Sequence, residues 1–520
     1  MEKESRHMDL KKITILSATS GLLLGGLLTY LYPEGQWWIG LISSVLLISV
    51  SIFLLLLSVK FLGGEKTTLA LTLTAFLSRL LVGVLLMMLL PEIGYDTDQQ
   101  NAGYLFQDAY ARDTAAWKLA ASEDSVFTVF NAEFFEDQYG GLSFLSAITY
   151  RFLSPDAHRP SLVLILSSFV FAAGVSFFHA ALTMRWNSKM AKIVAWLLVL
   201  YPEGIFYTVS QMREPFVIGV AMILFWCVVQ WFERSKRKYV YGIALSSVLF
   251  IMLISWRTGM GVLLILGGWF WIEYIIRIVD QQKRRKLWRV FGAVLVLGFA
   301  LMVIVTGKWL RVSIWWDMRE MMVNSGLVAF FLEDAPELIQ WGFITVYGIF
   351  QVVLPAAVID TAAPFWKGIT IMRSAGWYLL LPLLLYGLYA VWRQKDRSEK
   401  LVMLWFIIIS WGWIVFSSLR AGGDMWDNPR YRTVFLPFFM ILVVMIWKLR
   451  DHWLWRVASI EGFALLVFTQ WYLSRHQFFS WHLPMAQMIG VILAFSAIII
   501  GTGVYHELKE RRRSKLLIQN

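Results

Sequence analysis

The stretch GYDTDQQNAGYLFQDAYARDTAAW, residues 94–117, sets Asp96, Asp98, Asp108 and Asp113 within eighteen positions. Carboxylates so placed can accept a proton from a reacting group, and the DTD triplet at 96–98 can hold a divalent ion together with a phosphate. The whole of 91–140 carries ten carboxylates, Asp137 among them, against two bases, Arg112 and Lys118. A solvated loop explains most of that excess. It does not explain RDTAAWKLA, whose helical spacing puts Asp113 and Trp117 on one face. Nor does it explain DQYGGLSFLSAITY, which brings Asp137 and Gln138 to the mouth of an apolar helix.

Arginines suited to an anionic group stand elsewhere: Arg213 beside Glu214 in QMREP, Arg257 in SWRTG, and Arg430 and Arg432 in NPRYR. Each has a plainer reading too. Arg213 and Glu214 can form a simple ion pair or a snorkelling anchor, and Arg430 and Arg432 can order their loop through Asp424 and Asp427. The seven His residues are scattered without an H-x-x-x-H or H-E-x-x-H pattern, so no protein-built zinc site is expected, and the metal requirement is open.

The elements that must hold these residues are apolar. Of the 520 residues, 58% are hydrophobic and 16% charged, and the mean hydropathy is +0.62; soluble domains carry about a quarter of charged residues. The chain is therefore expected to be an all-α polytopic membrane protein, with its 27 Trp mostly in interfacial belts. The net charge of +12 does not indicate nucleic acid, because Lys and Arg cluster in short segments between apolar runs. A single cysteine, Cys227, excludes an intrachain disulfide. The run from 13 to 31 is long enough to span and no A-x-A site follows it, so it reads as a first helix and not a cleaved signal.

Fourteen apolar runs of spanning length can be marked, near 13–32, 38–59, 67–90, 160–184, 190–210, 215–232, 239–256, 260–279, 289–307, 376–392, 401–419, 433–447, 457–473 and 484–504. Basic clusters fall in alternate loops, which puts both termini in the cytoplasm. Counting the 15-residue stretch 139–153 as a span would reverse every later loop, so it reads as an interfacial helix on the outer surface. Segment 308–375 becomes a second external segment with amphipathic pieces and a re-entrant piece at 343–358. The expected organisation is N-terminal spans over 1–90, a first external loop carrying the chemistry over 91–159, a transmembrane core over 160–307, the external segment 308–375, C-terminal spans over 376–504, and a basic cytoplasmic tail over 505–520. The active face is then outside the plasma membrane.

DTAAWKLA resembles the D-x-x-x-Y-x-x-[IL]-A motif in the first external loop of GT-C glycosyltransferases, with Trp117 for Tyr. The likeness is to the family 39-like enzymes, which include protein O-mannosyltransferases and the lipid A aminoarabinose transferase. DQYGGLSFLSAITYRFLSPDAHRPSLVL, YPEGIFYTVSQMREPFVIGVAMILF and DNPRYRTVFLPFFMILV resemble later family segments in the same order, together covering about 67–450. The chain departs from the pattern in two extra N-terminal spans and in the earlier pair Asp96 and Asp98, so the family's catalytic carboxylate maps to Asp113 or to that pair, with Asp137 as a second polar partner. The resemblance implies a GT-C-like bundle and transfer of a sugar, usually with inversion, from a polyprenyl-phosphate carrier to a hydroxyl of a lipid, glycan or protein. A loop Asp would act as general base, and Arg213, Arg257, Arg430 and Arg432 would meet the carrier phosphate.

Two other classes stay open. A lipid or polysaccharide transporter would concentrate ionisable residues inside its spans, often with internal repeats. A polysaccharide polymerase or ligase would rely on its arginines more than on an early-loop Asp.

Overall fold

The computed structural model describes residues 9–131, 140–233, 238–324, 326–359, 362–475, 480–481 and 483–519. Their regular structure is helical, with no strand among the described residues. Eleven helices are long and apolar enough to cross a membrane, and the number rises to 13 if each of two bent pairs is one span. The protein is an all-α polytopic membrane protein, as expected where apolar runs must satisfy every backbone N–H and C=O internally. Two compact units divide the chain, Met1–Tyr274 with Thr433–Met440, and Ile275–Arg432 with Ile441–Asn520.

The first unit opens with three long helices, α1 (Leu10–Leu31), α2 (Trp37–Phe61) and α3 (Lys66–Ile93). Segment 91–159 follows as short pieces: α4 (Asp98–Asn101), α5 (Gln107–Ala121), a 3-10 turn (Val126–Phe130) and α6 (Gly141–Leu153). At 13 residues α6 is too short to span. Then come α7 (Ser161–Arg185), α8 (Ser188–Leu200), α9 (Pro202–Thr208), α10 (Glu214–Glu233) and α11 (Lys238–Ile276). α7 and α10 cross where two glycines meet. A Cβ on Gly174 would fall 2.4 Å from the Gly219 carbonyl oxygen, and one on Gly219 would fall 2.4 Å from that of Val170. Only glycine lets the backbones approach this closely, the usual device for packing helices in lipid.

α8 and α9 form one of the bent pairs, with a 57° angle between them. Pro202 has no N–H to continue the helical ladder, and the break frees carbonyls at the end of α8. Arg79 of α3, which is 0% exposed, donates to the Val199 carbonyl at 2.8 Å and to the Thr208 hydroxyl at 3.3 Å, with its guanidinium 4.1 Å from the Phe171 ring centroid. A cation inside a span is costly unless the protein surrounds it with partners. Here the cost is offset by pinning a broken helix. Nothing in the local sequence of α3 announces this role.

α11 is 39 residues long, but Ser255 within it has non-helical backbone (φ −162, ψ 90). A Cβ on Gly259 would sit 3.3 Å from the Ile251 carbonyl oxygen, and Trp231 packs against both Tyr241 and Phe270. A straight helix would hold Tyr241 and Phe270 about 43 Å apart. The chain therefore reverses at Ser255, and α11 is two antiparallel runs matching the apolar stretches 239–256 and 260–279.

The second unit contains α12 (Gln281–Asn324), α13 (Gly326–Leu332), α14 (Glu337–Ile349), α15 (Leu354–Ile359), α16 (Pro364–Ala390), α17 (Arg397–Ala421), α18 (Asp427–Thr433), most of α19 (Leu436–Lys448), α20 (His452–Arg475) and α21 (Met485–Gln519). Segment 308–375 differs from its sequence reading at both ends. α12 runs on from the apolar span 289–307 through IWWDMREMMVN without a break, because no proline or glycine pair interrupts it. α16 begins at Pro364, a residue suited to the first helical position, twelve residues before the apolar run starts.

Candidate active site

α5 forms because QDAYARDTAAWKLAA is rich in alanine, and its dipole is complemented by Asp108 in the first turn and Lys118 in the last. Arg151 of α6 closes its C-terminus, donating to the carbonyls of Leu119 at 2.6 Å, Ala120 at 3.2 Å, Ser122 at 3.1 Å and Asp124 at 2.8 Å. Carbonyls that a helix end leaves open are thus satisfied by the neighbouring helix. α5 and α6 form one rigid pair.

Asp113 lies on the inner face of that pair, 1% exposed. Its Oδ2 accepts three hydrogen bonds, from the Tyr104 hydroxyl at 2.6 Å, the Tyr150 hydroxyl at 2.5 Å and His158 Nε2 at 3.0 Å. Oδ1 is buried and has no hydrogen-bond partner among the described residues. Burial pushes this carboxyl up, but the donors from His158, Tyr104 and Tyr150 outweigh it and hold Asp113 below the ordinary carboxylate range. The two phenols move the other way. Burial first, then the Asp113 charge, raises both Tyr104 and Tyr150 well above a free tyrosine.

His158 is more open, its side chain 22% exposed. Its ring stacks on Trp117 at 5.6 Å with an interplanar angle of 6° and meets the edge-on ring of Tyr150 at 4.9 Å. The bond to the Asp113 carboxylate requires a proton on Nε2, so in the neutral ring Nδ1 carries the lone pair. The loop bearing His158 is fixed independently. Arg159 donates to Asp156, to Ser154 and to the carbonyls of Glu34 and Gln36, and its hydrogen bonds hold the Asp156 carboxyl down at about 2.

The remaining candidates divide by place. In the first unit the Arg112 guanidinium donates to the Gln211 carbonyl, Met212 packs against Tyr104 and Ala109, and Phe106 stacks on Tyr207 at 5.8 Å. Gly141, at the start of α6, abuts the Leu253 carbonyl. Helices α5 and α6, the α9–α10 turn with Arg213 and Glu214, and the reversal with Arg257 therefore share one end of this unit. Arg213 Nε lies 3.6 Å from Glu214 Oε1, so the ion-pair reading holds for them. Arg257 is exposed, its guanidinium 5.5 Å from the Trp256 ring centroid. Tyr150 stands about 13 Å along α6 from the Gly141 contact with this reversal. Asp96 and Asp98 are exposed and are not among the groups that bond Asp113, with Asp96 accepting from Asn101 at 2.9 Å and Asp98 opening α4. Asp137 lies outside the described residues. No group of three His, Cys, Asp or Glu side chains able to hold a metal occurs among the described residues.

In the second unit Arg430 pairs with Asp427 at 3.3 Å. Arg432 donates to the Gln351 carbonyl at 2.5 Å and stacks 3.7 Å from the Trp377 centroid. Both order the turn around Asp424, whose carboxylate accepts from the N–H groups of Trp426 and Asp427.

Fold and site together define a multi-span helical membrane protein with a buried carboxylate–imidazole couple at one end of its first helical unit. No known family model matches the chain, and no curated protein or solved structure matches it.

Proposed function

We propose that the chain is a membrane transferase of the GT-C type, moving a sugar from a polyprenyl-phosphate carrier to an acceptor hydroxyl, with the Asp113–His158 couple serving proton removal. The carrying observation is that Asp113, buried and already triply hydrogen-bonded, aims the more open His158. A carboxylate so satisfied is a weak base, whereas an oriented imidazole with a lone pair on Nδ1 is a good one. His158 Nδ1 takes the acceptor proton as the acceptor oxygen bonds to the anomeric carbon. The bond from that carbon to the carrier phosphate oxygen breaks, and its electron pair leaves with the phosphate. Arg257, exposed at the same end of the unit, is suited to that developing charge. The reaction is tested by incubating the purified chain with a panel of polyprenyl-phosphate sugars and acceptor alcohols. Release of free polyprenyl phosphate from one of them is the expected result, and no release from any would remove the transfer reading.

A transporter of lipid or polysaccharide is the second reading, favoured by ionisable side chains buried inside spans, among them Arg79, Glu273, Arg373 and Glu461. Movement of the same carriers across proteoliposomes without their breakdown would favour it.

The reading also sets an orientation in the plasma membrane, with both termini cytoplasmic and the Asp113 end outside, from the alternation of basic loops. In a Cys227→Ser background, Asp124→Cys is expected to react with an impermeant thiol reagent on intact cells. Lys283→Cys should react only after permeabilisation. The reverse pattern would invert the topology.

A further inference from the structure

Within the second unit, side chains of α14, α16, α20 and α21 line a half-open cavity of about 420 Å³. Its wall is apolar, with Phe350, Leu465 and Phe468 among the lining residues, and it includes one carboxyl group, that of Glu461. Glu461 sits near the middle of α20, within a helix of spanning length. It is 8% exposed, and neither carboxyl oxygen has a hydrogen-bond partner among the described residues. On the same wall the Tyr378 hydroxyl is already used, donating to the Phe350 carbonyl at 2.9 Å. Among the described residues no Lys, Arg or His lines the cavity.

Leaving a carboxyl without a partner in an apolar setting costs several kcal/mol, whichever protonation state it holds. A hydrophobic side chain at this position would avoid that cost, so the group has a use the fold does not supply. The wall suits a chain of methylene or isoprene units, as apolar pockets with few convergent polar groups generally do. We infer that this cavity binds an amphiphile whose apolar chain lies against Phe350, Leu465 and Phe468 and whose hydroxyl or amino group hydrogen-bonds to Glu461. The site rests on residues of the second unit alone and does not depend on the transfer reaction.

Dicyclohexylcarbodiimide, an apolar reagent that adds to a carboxylic acid and rearranges to an N-acylurea without loss of atoms, reports on such a group. With the full chain in lipid nanodiscs, peptide mass spectrometry should find the adduct on Glu461 and none at that position in Glu461→Gln. Saturating oleyl alcohol or oleylamine should slow loss of the unmodified Glu461 peptide about tenfold, the protection expected when ligand stands about tenfold above its Kd, with any oleyl amide or ester formed from the activated acid counted as modification. The two arms distinguish an alcohol from an amine ligand. 9-Octadecene, with a chain of the same length and no polar group, should protect little. No adduct on Glu461, no protection by either lipid, or equal protection by the alkene would each overturn the inference. Glu461→Leu supplies an independent readout: its melting temperature should rise, whereas a fall would show that Glu461 already has a partner within the fold.

Discussion

His158→Gln is expected to lower sugar transfer by about 10²- to 10⁴-fold, the range for loss of a positioned general base, while leaving the fold intact. The glutamine amide can still donate to Asp113 Oδ2, so the hydrogen bond that ties loop 154–159 to α5 is preserved in kind. It cannot take a proton. Arg159 holds the same loop to the Glu34 and Gln36 carbonyls without help from position 158, so the loop keeps its anchor in the variant; an unchanged melting temperature is the check. Asp96→Asn and Asp98→Asn serve as controls, since both side chains are exposed and neither bonds Asp113 or His158. They should transfer at close to the parent rate. Parent-rate transfer by His158→Gln would remove the imidazole from the reaction and return the base role to a loop carboxylate.

Asp113 should show two separable effects. Asp113→Asn keeps the shape and one acceptor oxygen for Tyr104, Tyr150 and His158 but removes the charge that orients and supports the imidazole, and transfer should fall by about 10²-fold. Asp113→Ala removes the acceptor altogether, leaving the buried Tyr150 hydroxyl without its partner at about 1–3 kcal/mol and the Tyr104 hydroxyl with only its 3.4 Å contact to His158 Nε2. Its melting temperature should fall well below that of the Asn variant. The pH dependence has a definite sign. The folded carboxyl is held below its ordinary range, so its stabilisation is complete above that range and is lost as pH falls through the lowered folded value. Thermal unfolding of the parent should show this loss on acidification, and Asp113→Asn should show less of it. Equal acid sensitivity in the two proteins would mean that Asp113 is not a carboxylate in the folded chain.

The Asp113 and Trp117 pairing was legible because a helix repeats every 3.6 residues, so D-x-x-x-W alone sets both side chains on one face; in the fold both reach His158. His158 itself was not legible. It stands 45 positions from Asp113, in DAHRP, and no local pattern marks a histidine whose partner arrives from another helix. The only signal was the adjacent Asp156 and Arg159, an i, i+3 pair that the structure uses to lock the loop. Tyr104 and Tyr150 were equally silent, because a buried phenol looks like any aromatic core residue until its acceptor is known. Arg430 and Arg432 show the converse: their spacing suggested a phosphate site, and the fold uses them on Asp427, the Gln351 carbonyl and Trp377.

What the sequence determined by itself was the solvent in which this chain folds and the all-helical architecture that follows, since apolar runs of spanning length leave the backbone no other way to satisfy its hydrogen bonds. Composition also limited disulfide chemistry to none within the chain. Tertiary structure alone decided which ionisable groups meet. Arg79 became a staple because a broken helix brought the Val199 carbonyl beside it, Asp113 became part of a couple because α6 and the loop after it fold back over α5, and Glu461 was left unsatisfied because the side chains that share its pocket wall are almost all apolar. Periodicity and charge are properties of neighbours along the chain. The environment of a buried charge is set by residues tens to hundreds of positions away, and only packing selects them.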